Sequence, residues 1–164
     1  MFSISFVCLG NICRSPMAHV VMNEKLAATD LAPKVRIASS GTGNWHVGEP
    51  IDPRAGNVLI ENGYNPSAHR ASNFTIDWFA EHDLILAMDS SNFADIVELA
   101  PSVAEQNKVR MFREFDPLAI TELDVPDPWF GGVQGFHDVL NMVERTVDNL
   151  LTNLPALIEQ KSAD

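Results

Sequence analysis

Short apolar runs alternate along the chain with segments whose apolar residues recur every three to four positions. Ser3–Cys8 is a near-continuous apolar run and reads as a buried strand. Ser15-Pro16 then opens a helix, with serine suited to the N-cap and proline to the first helical position, and Met17–Ala28 continues it. Lys34–Ser39 reads as a second strand, followed by the turn-rich Ser40-Gly41-Thr42-Gly43-Asn44. Asp52-Pro53 caps a helix running to about Asn62, and Gly63 ends it. Beyond the loop Asn65–Arg70, the pattern predicts a short helical stretch over Asn73–Phe79, a third strand over Asp83–Met88 and a helix over Ser90–Leu99. A fourth strand follows at Lys108–Phe112, then a Pro- and Gly-rich loop at Asp124–Gly132. The last segment is a long amphipathic helix from Gly135 to about Thr152. Phe136, Val139, Leu140, Val143, Val147, Leu150 and Leu151 form its stripe, and Pro155 is expected to end or bend it.

Strands alternating with helices predict right-handed crossovers and a mostly parallel sheet covered on both faces. The expectation is one three-layer α/β/α domain spanning residues 1–164, with no repeat, low-complexity run or linker. Composition agrees, since 46% hydrophobic and 20% charged residues are ordinary for a globular chain. The net charge of −11 changes the picture more. Nucleic acid is excluded as a partner, because its binders need a basic face, and an anionic substrate requires a small site that overcomes a repulsive field. No run approaches a membrane span, and the opening Met1–Val7 lacks a basic leader, so a cytoplasmic protein is expected. The only two cysteines, Cys8 and Cys13, are five residues apart, which makes neither a disulfide framework nor a structural zinc site. Chemistry or redox sensing remains for them. A monomer is the expectation for a small acidic domain.

The segment that carries chemistry is Val7-Cys8-Leu9-Gly10-Asn11-Ile12-Cys13-Arg14-Ser15-Pro16, set between a predicted strand and a predicted helix. A loop of this length can curl so that its amides point inward and nest a tetrahedral anion, with the positive end of the helix added behind them. The phosphate-binding set is then Leu9, Gly10, Asn11, Ile12, Cys13, Arg14 and Ser15. Arg14 supplies a planar fork to two phosphate oxygens. Gly10 and Asn11 are residue types that tolerate left-handed backbone inside the curl. Cys8 sits at the floor, where positive potential favours a thiolate nucleophile, and the Ser15 hydroxyl can donate to it. A departing oxygen also needs an acid. Asp127, in Val125-Pro126-Asp127-Pro128-Trp129-Phe130, is the candidate: prolines stiffen its loop and two aromatic residues follow. An aspartate between prolines is also a common turn residue.

Together these segments resemble the low-molecular-weight protein tyrosine phosphatase family. Positions 7 to 16 match its signature, and Asp127-Pro128-Trp129-Phe130 is similar to its acid loop. Ser39-Ser40-Gly41-Thr42, Ala68-His69-Arg70-Ala71 and Met88-Asp89-Ser90-Ser91-Asn92 resemble its segments beside the cradle. The resemblance implies a four-stranded parallel sheet, no metal or organic cofactor, and a two-step mechanism. In it Cys8 takes the phosphoryl group, Asp127 serves as acid and then base, and Arg14 holds the phosphate. It makes Asn11, Ser15, Ser39 and His69 supports of the loop, although His69 reads equally as an exposed loop histidine. Asp89 reads equally as a helix N-cap. Where the family often carries two tyrosines after the Asp-Pro, this chain has Trp129 and Phe130, which keep aromatic cleft walls but remove two phosphorylation sites. Trp45 falls where the family lines the cleft mouth; packing beneath a loop explains it as well.

The implied substrate is a phosphotyrosine-bearing protein or a small aryl phosphate; phosphoarginine, which some relatives accept, stays open. A thiol-dependent arsenate reductase would use the same cradle, but no cysteine follows Cys13 for an internal disulfide relay, and the Asp127 loop would then have no evident task. A non-enzymatic phosphate-binding module would not need both Cys8 and Asp127. Closeness of Cys8 and Cys13 in one curled loop would also permit a reversible disulfide that protects the nucleophile.

Overall fold

The computed structural model describes residues Met1–Asp164. Strands β1 (Phe2–Cys8), β2 (Val35–Gly41), β3 (Leu84–Ala87) and β4 (Val109–Met111) form one sheet in the order β2-β1-β3-β4, every pair parallel. Helices supply the crossovers. Helix α1 (Arg14–Ala27) joins β1 to β2, α2 (Pro53–Glu61) and the five-residue α3 (Asp77–Glu81) join β2 to β3, and α4 (Ser90–Leu99) and α5 (Val103–Gln106) join β3 to β4. The final helix, α6, runs from Val133 to Ala163.

All seven residues of β1 are buried because it is a central strand covered on both faces. Its Phe2, Ile4, Phe6 and Cys8 face the large core with Met17, Val21 and Met22 of α1, Val58 and Leu59 of α2, and the α6 stripe Phe136 to Leu154. Val7, on the opposite face, packs with Phe79, Ile85, Ala87, Ile96 and Val109 beneath α3 and α4. The architecture is therefore the three-layer α/β/α arrangement that the pattern predicts. From β1 the chain moves first to β2 on one side and later to β3 on the other. Connections leaving β1 and β3 thus diverge, opening a crevice at the carboxyl ends of the strands, the place where open α/β sheets bind ligands. Cys8 ends β1 at that crevice, and Asp89 follows β3 two residues past its end.

Several elements differ from expectation, each for a local reason. Helix α1 starts at Arg14 with the Cys13 backbone as its N-cap, because the Ser15 hydroxyl is drawn to Cys8 and Asn11 instead of capping. The stretch after Arg70 is extended as far as Phe74, where Asn73 bridges Gly41 and its Nδ2 donates to the Gly41 and Gly43 carbonyls; α3 begins only at Asp77. Pro155 neither ends nor breaks α6. It is exposed, while Leu154, Leu157 and Ile158 keep that part of the helix against the core. The short α5, between the expected helix ending at Leu99 and the fourth strand, has Ser102 as its N-cap. No helix is long and apolar enough to cross a membrane.

Candidate active site

The loop after β1 is shaped from outside. Four of its carbonyls are fixed by donors around it: Cys8 and Leu9 by the amides of Thr42 and Gly43 (both 2.9 Å), Asn11 by His69 Nε2 (2.7 Å), and Ile12 by the Asp52 amide (2.9 Å). With those carbonyls held from outside, the loop curls above Cys8 at the start of α1, a shape in which amides can nest an anion. Asn11 makes the tight curl with φ of 56°, a left-handed conformation asparagine tolerates. Its side chain is fully used, Nδ2 donating to Ser15 Oγ (2.8 Å) and Oδ1 accepting the Ser72 amide (2.9 Å). Gly10 is not left-handed, contrary to expectation. Its bare Cα instead admits the His46 ring, whose Cδ2 would lie 3.1 Å from an added Cβ.

Cys8 is buried at the floor, with Sγ 2.9 Å from Ser15 Oγ. Ser15 accepts from Asn11, and its one hydrogen can go either to the sulfur or to the more distant Ser40 carbonyl at 3.4 Å. Arg14 is 3% exposed, and its Nη1 donates to Asp89 Oδ2 (2.7 Å) and to the Val125 carbonyl (2.9 Å). Burial alone would lower the Arg14 pKa, but negative charge at Cys8, Asp89 and Asp127 outweighs it and holds the guanidinium above its ordinary value. Asp89 is the helix cap the sequence suggests and a site residue as well, since its Oδ1 caps α4 through the Asn92 amide (2.7 Å) while Oδ2 grips Arg14.

Asp127 stands at the rim, its carboxylate 39% exposed. One oxygen accepts the Trp129 amide (3.1 Å), and the other lies 3.7 Å from Arg14 Nη2. A 3₁₀ turn at Pro128–Phe130 carries the aromatic pair. The segment leading to Asp127 is anchored below by the Val125 amide on the Met88 carbonyl (2.7 Å) and by Arg113 Nη1 on the Asp124 carbonyl (2.8 Å). Arg113 is in turn paired with Asp116, which also takes two bonds from Arg145 on α6. Those arginines and the Leu118 amide overcome the effect of burial and keep the Asp116 carboxyl below its usual range.

Cys8, Arg14 and Asp127 open into one cleft of about 250 Å³, walled by Trp45, His46, Trp129 and Phe130. Trp45 (68% exposed) and Phe130 (92%) are mouth residues rather than packing under a loop. His69 is buried, and its bond to a carbonyl requires the proton on Nε2; burial, opposed by that bond and helped by nearby Arg70, lowers its pKa. Ser39 is not brought to the loop. Its hydroxyl meets His19 Nδ1 on α1 (3.0 Å), and the next residue, Ser40, contacts the site through its carbonyl, 3.4 Å from Ser15 Oγ. Cys13 also lines the cleft as a free thiol; burial, with the charges of Asp52, Cys8 and Asp127, pushes its pKa up, and Arg54 opposes this.

Three contributors escaped the sequence reading. Gly41 lies so close under the loop that a Cβ there would stand 2.6 Å from the Leu9 carbonyl oxygen. His46 forms part of the cleft wall, pairs with Glu49 (2.6 Å) and faces the Trp129 ring at 6.2 Å. Arg54 on α2 reaches the Trp129 carbonyl (3.1 Å). Gly41 sat inside a quoted turn and His46 beside Trp45, so proximity was the available signal; nothing local marked Arg54. No three His, Cys, Asp or Glu side chains are grouped to hold a metal ion.

A thiol at the base of a strand-loop-helix anion nest, beside a buried arginine and a rim carboxylate, defines a cysteine-based phosphatase. The model of the low molecular weight phosphotyrosine protein phosphatase family matches residues 3–161. Over 163 residues the chain is 41% identical to the low molecular weight protein-tyrosine-phosphatase of Streptomyces coelicolor, covering 99% of each. It is 41% identical over 148 residues to low molecular weight protein-tyrosine phosphatase A of Mycobacterium tuberculosis, covering 90% of this chain and 88% of that one. The protein tyrosine phosphatase of Entamoeba histolytica, solved with Hepes in its active site, superposes with a TM-score of 0.89 at 33% identity, over 95% of this chain and 98% of that one. The chain belongs to the low-molecular-weight protein-tyrosine-phosphatase family and is a phosphatase of the hydrolase class.

Proposed function

We propose that the protein hydrolyses phosphotyrosine monoesters in two steps, with Cys8 as nucleophile, Arg14 as phosphate clamp and Asp127 as acid and base. The observation that carries this reading is the convergence of the Cys8 thiol, the Arg14 guanidinium and the Asp127 carboxylate on one aromatic-walled cleft. In the first step the Cys8 thiolate attacks phosphorus, the phosphorus–phenol oxygen bond breaks, and the Asp127 proton passes to the departing oxygen. In the second, water attacks the thiophosphoryl group, its proton passes to Asp127, and inorganic phosphate leaves as the sulfur–phosphorus bond breaks. The loop amides and the free Nε and Nη2 of Arg14 meet the equatorial oxygens in both steps. Asn11, Ser15 and His69 hold the loop in shape, and the Ser15 hydroxyl stabilises the sulfur as anion and as leaving group.

Trp45, Trp129 and Phe130 offer apolar walls that suit an aryl phosphate better than a short alkyl one, and the relatives named above are tyrosine phosphatases. A reducing, cytoplasmic setting suits a site whose two cysteines are free thiols.

The test is metal-free hydrolysis of p-nitrophenyl phosphate at mildly acidic pH. Cys8→Ser should abolish turnover, and Asp127→Ala should reduce kcat by about 100-fold, because hydrolysis of the thiophosphoryl group needs the carboxylate as base whatever the leaving group. Wild-type protein that is folded yet inert would overturn the reading, and arsenate reduction with an added thiol would be assayed next. Turnover of phosphoarginine above that of phosphotyrosine would overturn the substrate assignment alone.

A further inference from the structure

Arg54 belongs to none of the segments that make the phosphate cradle or the Asp127 loop, yet it is bonded to both neighbourhoods. Its Nε and Nη2 bind the two oxygens of Asp52 (3.2 and 3.1 Å), the residue whose amide fixes the Ile12 carbonyl of the cradle. Its Nη1 donates to the Trp129 carbonyl (3.1 Å). The guanidinium also lies near two rings, 5.1 Å from the centroid of Trp129 and 4.7 Å from that of Phe136 on α6. All three of its nitrogens are therefore bonded, and aromatic rings from two later segments pack against the group. Trp129 in turn passes the constraint on, because its amide is the donor that orients Asp127 Oδ1. With that oxygen held, Oδ2 is the one left facing the cleft and Arg14.

We propose that Arg54 is a positioning residue for the Asp127 carboxyl, acting through Trp129 and tying the acid's loop to the cradle. The inference rests on the reading of Asp127 as general acid. Arg54 touches neither the phosphate nor the leaving oxygen, so its loss should impair proton delivery and leave anion binding intact. Substrates whose leaving group needs a proton will feel that loss, and those with an acidic phenol will feel it little. A residue needed only for folding would slow both alike.

The experiment compares kcat/KM for phenyl phosphate and p-nitrophenyl phosphate in wild type, Arg54→Gln, Asp127→Asn and the double variant, with competitive inhibition by inorganic phosphate as the report on the cradle. Arg54→Gln should lower phenyl phosphate turnover about tenfold and p-nitrophenyl phosphate turnover less than about threefold, with the phosphate inhibition constant within about twofold of wild type. In the Asp127→Asn background it should cost no further leaving-group-dependent loss, since the two act as one unit. Equal losses on both substrates, full additivity in the double variant, or a weakened phosphate constant that accounts for the loss would each overturn the proposal. Should Arg54→Gln unfold, Arg54→Lys carries the same test, because a lysine keeps the charge beside Asp52 but lacks the planar fork that bonds Asp52 and the Trp129 carbonyl together. If Asp127→Asn itself slows both substrates equally, the acid assignment fails, and this proposal falls with it by a signature that needs no Arg54 variant.

Discussion

Replacing Gly41 with alanine should damage the phosphate cradle from underneath. Gly41 closes β2 opposite Cys8, and its φ is not in the left-handed range, so an added methyl brings no backbone strain of its own. The whole cost is contact. The new Cβ would lie 2.6 Å from the Leu9 carbonyl oxygen, 3.0 Å from the Gly10 carbonyl carbon and 3.1 Å from the Asn11 nitrogen. All three are backbone atoms, so no side chain can swing away. Gly41 cannot easily retreat either, since its amide bonds the Ser72 carbonyl (2.9 Å) and its carbonyl accepts the Phe74 amide (2.8 Å). Relief requires the loop or the strand end to move by roughly half an ångström or more, at a cost of about 1–3 kcal/mol in stability. The moving segment carries the amides that meet phosphate, and misplacement by ~1 Å costs on the order of 100-fold in rate. Urea unfolding gives the stability term, and kcat/KM with the phosphate inhibition constant gives the site term. Gly132→Ala is the steric control, since a Cβ there meets nothing within 4 Å; as the N-cap of α6 it should cost no more than about 1 kcal/mol and leave the phosphate constant unchanged. A Gly41→Ala protein that binds phosphate and turns over within twofold of wild type would refute the idea that the cradle is seated on this residue.

Asp89→Asn keeps a good N-cap for α4 but removes the charge that grips Arg14, so phosphate inhibition should weaken about tenfold or more while the melting temperature changes little; equal phosphate binding would show that Arg14 is held by Val125 alone. Asp116→Ala leaves Arg113, whose side chain is 9% exposed, without its carboxylate, and should cost about 3–5 kcal/mol in urea unfolding, more than a surface ion pair could. His19, on α1, is held neutral by burial and the nearby His69, against a bond its ring donates to the Ile37 backbone, with its pKa lowered to about 4. The unfolded chain takes up this proton below about pH 6.5 while the folded protein resists it until about 4, so stability present above that window falls through it by up to about 3 kcal/mol. His69 and His82, shifted the same way by burial, steepen the loss. Melting temperatures measured from about pH 7.5 to 4.5 should drop in wild type and drop less in His19→Gln; a flat wild-type profile would contradict the buried-neutral assignment.

What could be read from the sequence was whatever the chain presents contiguously. The cradle is a single run from Cys8 to Ser15, and Asp127 is flanked by prolines, so residue type and spacing were enough to single them out. Parallel topology followed from the same kind of signal, a strand-helix alternation with one wholly apolar strand. Roles that arise only when distant segments meet were less visible. Asp89 looked like a cap because its other oxygen finds Arg14 75 positions away. Arg54 gave no sign, since both its aromatic neighbours arrive from the far end of the chain. Ser39 and Ser40 differ by one position on a strand, and alternation sends one hydroxyl towards His19 while leaving the other's carbonyl beside Ser15. Pro155 does not end α6 because a proline's effect depends on the face it occupies, and here that face is exposed.

Lys161, near the end of α6, bonds the Met1 carbonyl (3.0 Å) and the Asp83 carboxylate (2.9 Å). Residues 1 and 161 are consequently neighbours, and the fold is close to a closed ring. A short glycine-serine bridge between them, with a new opening between half-buried Ala100 and exposed Pro101, would yield a circular permutant that cuts neither the cradle nor the Asp127 loop. In such a molecule β4 would come first and Cys8 would move to mid-sequence, while each side chain of the cleft kept its neighbours. The site is a property of which strands lie side by side, and the order in which they are strung could be rewritten around it.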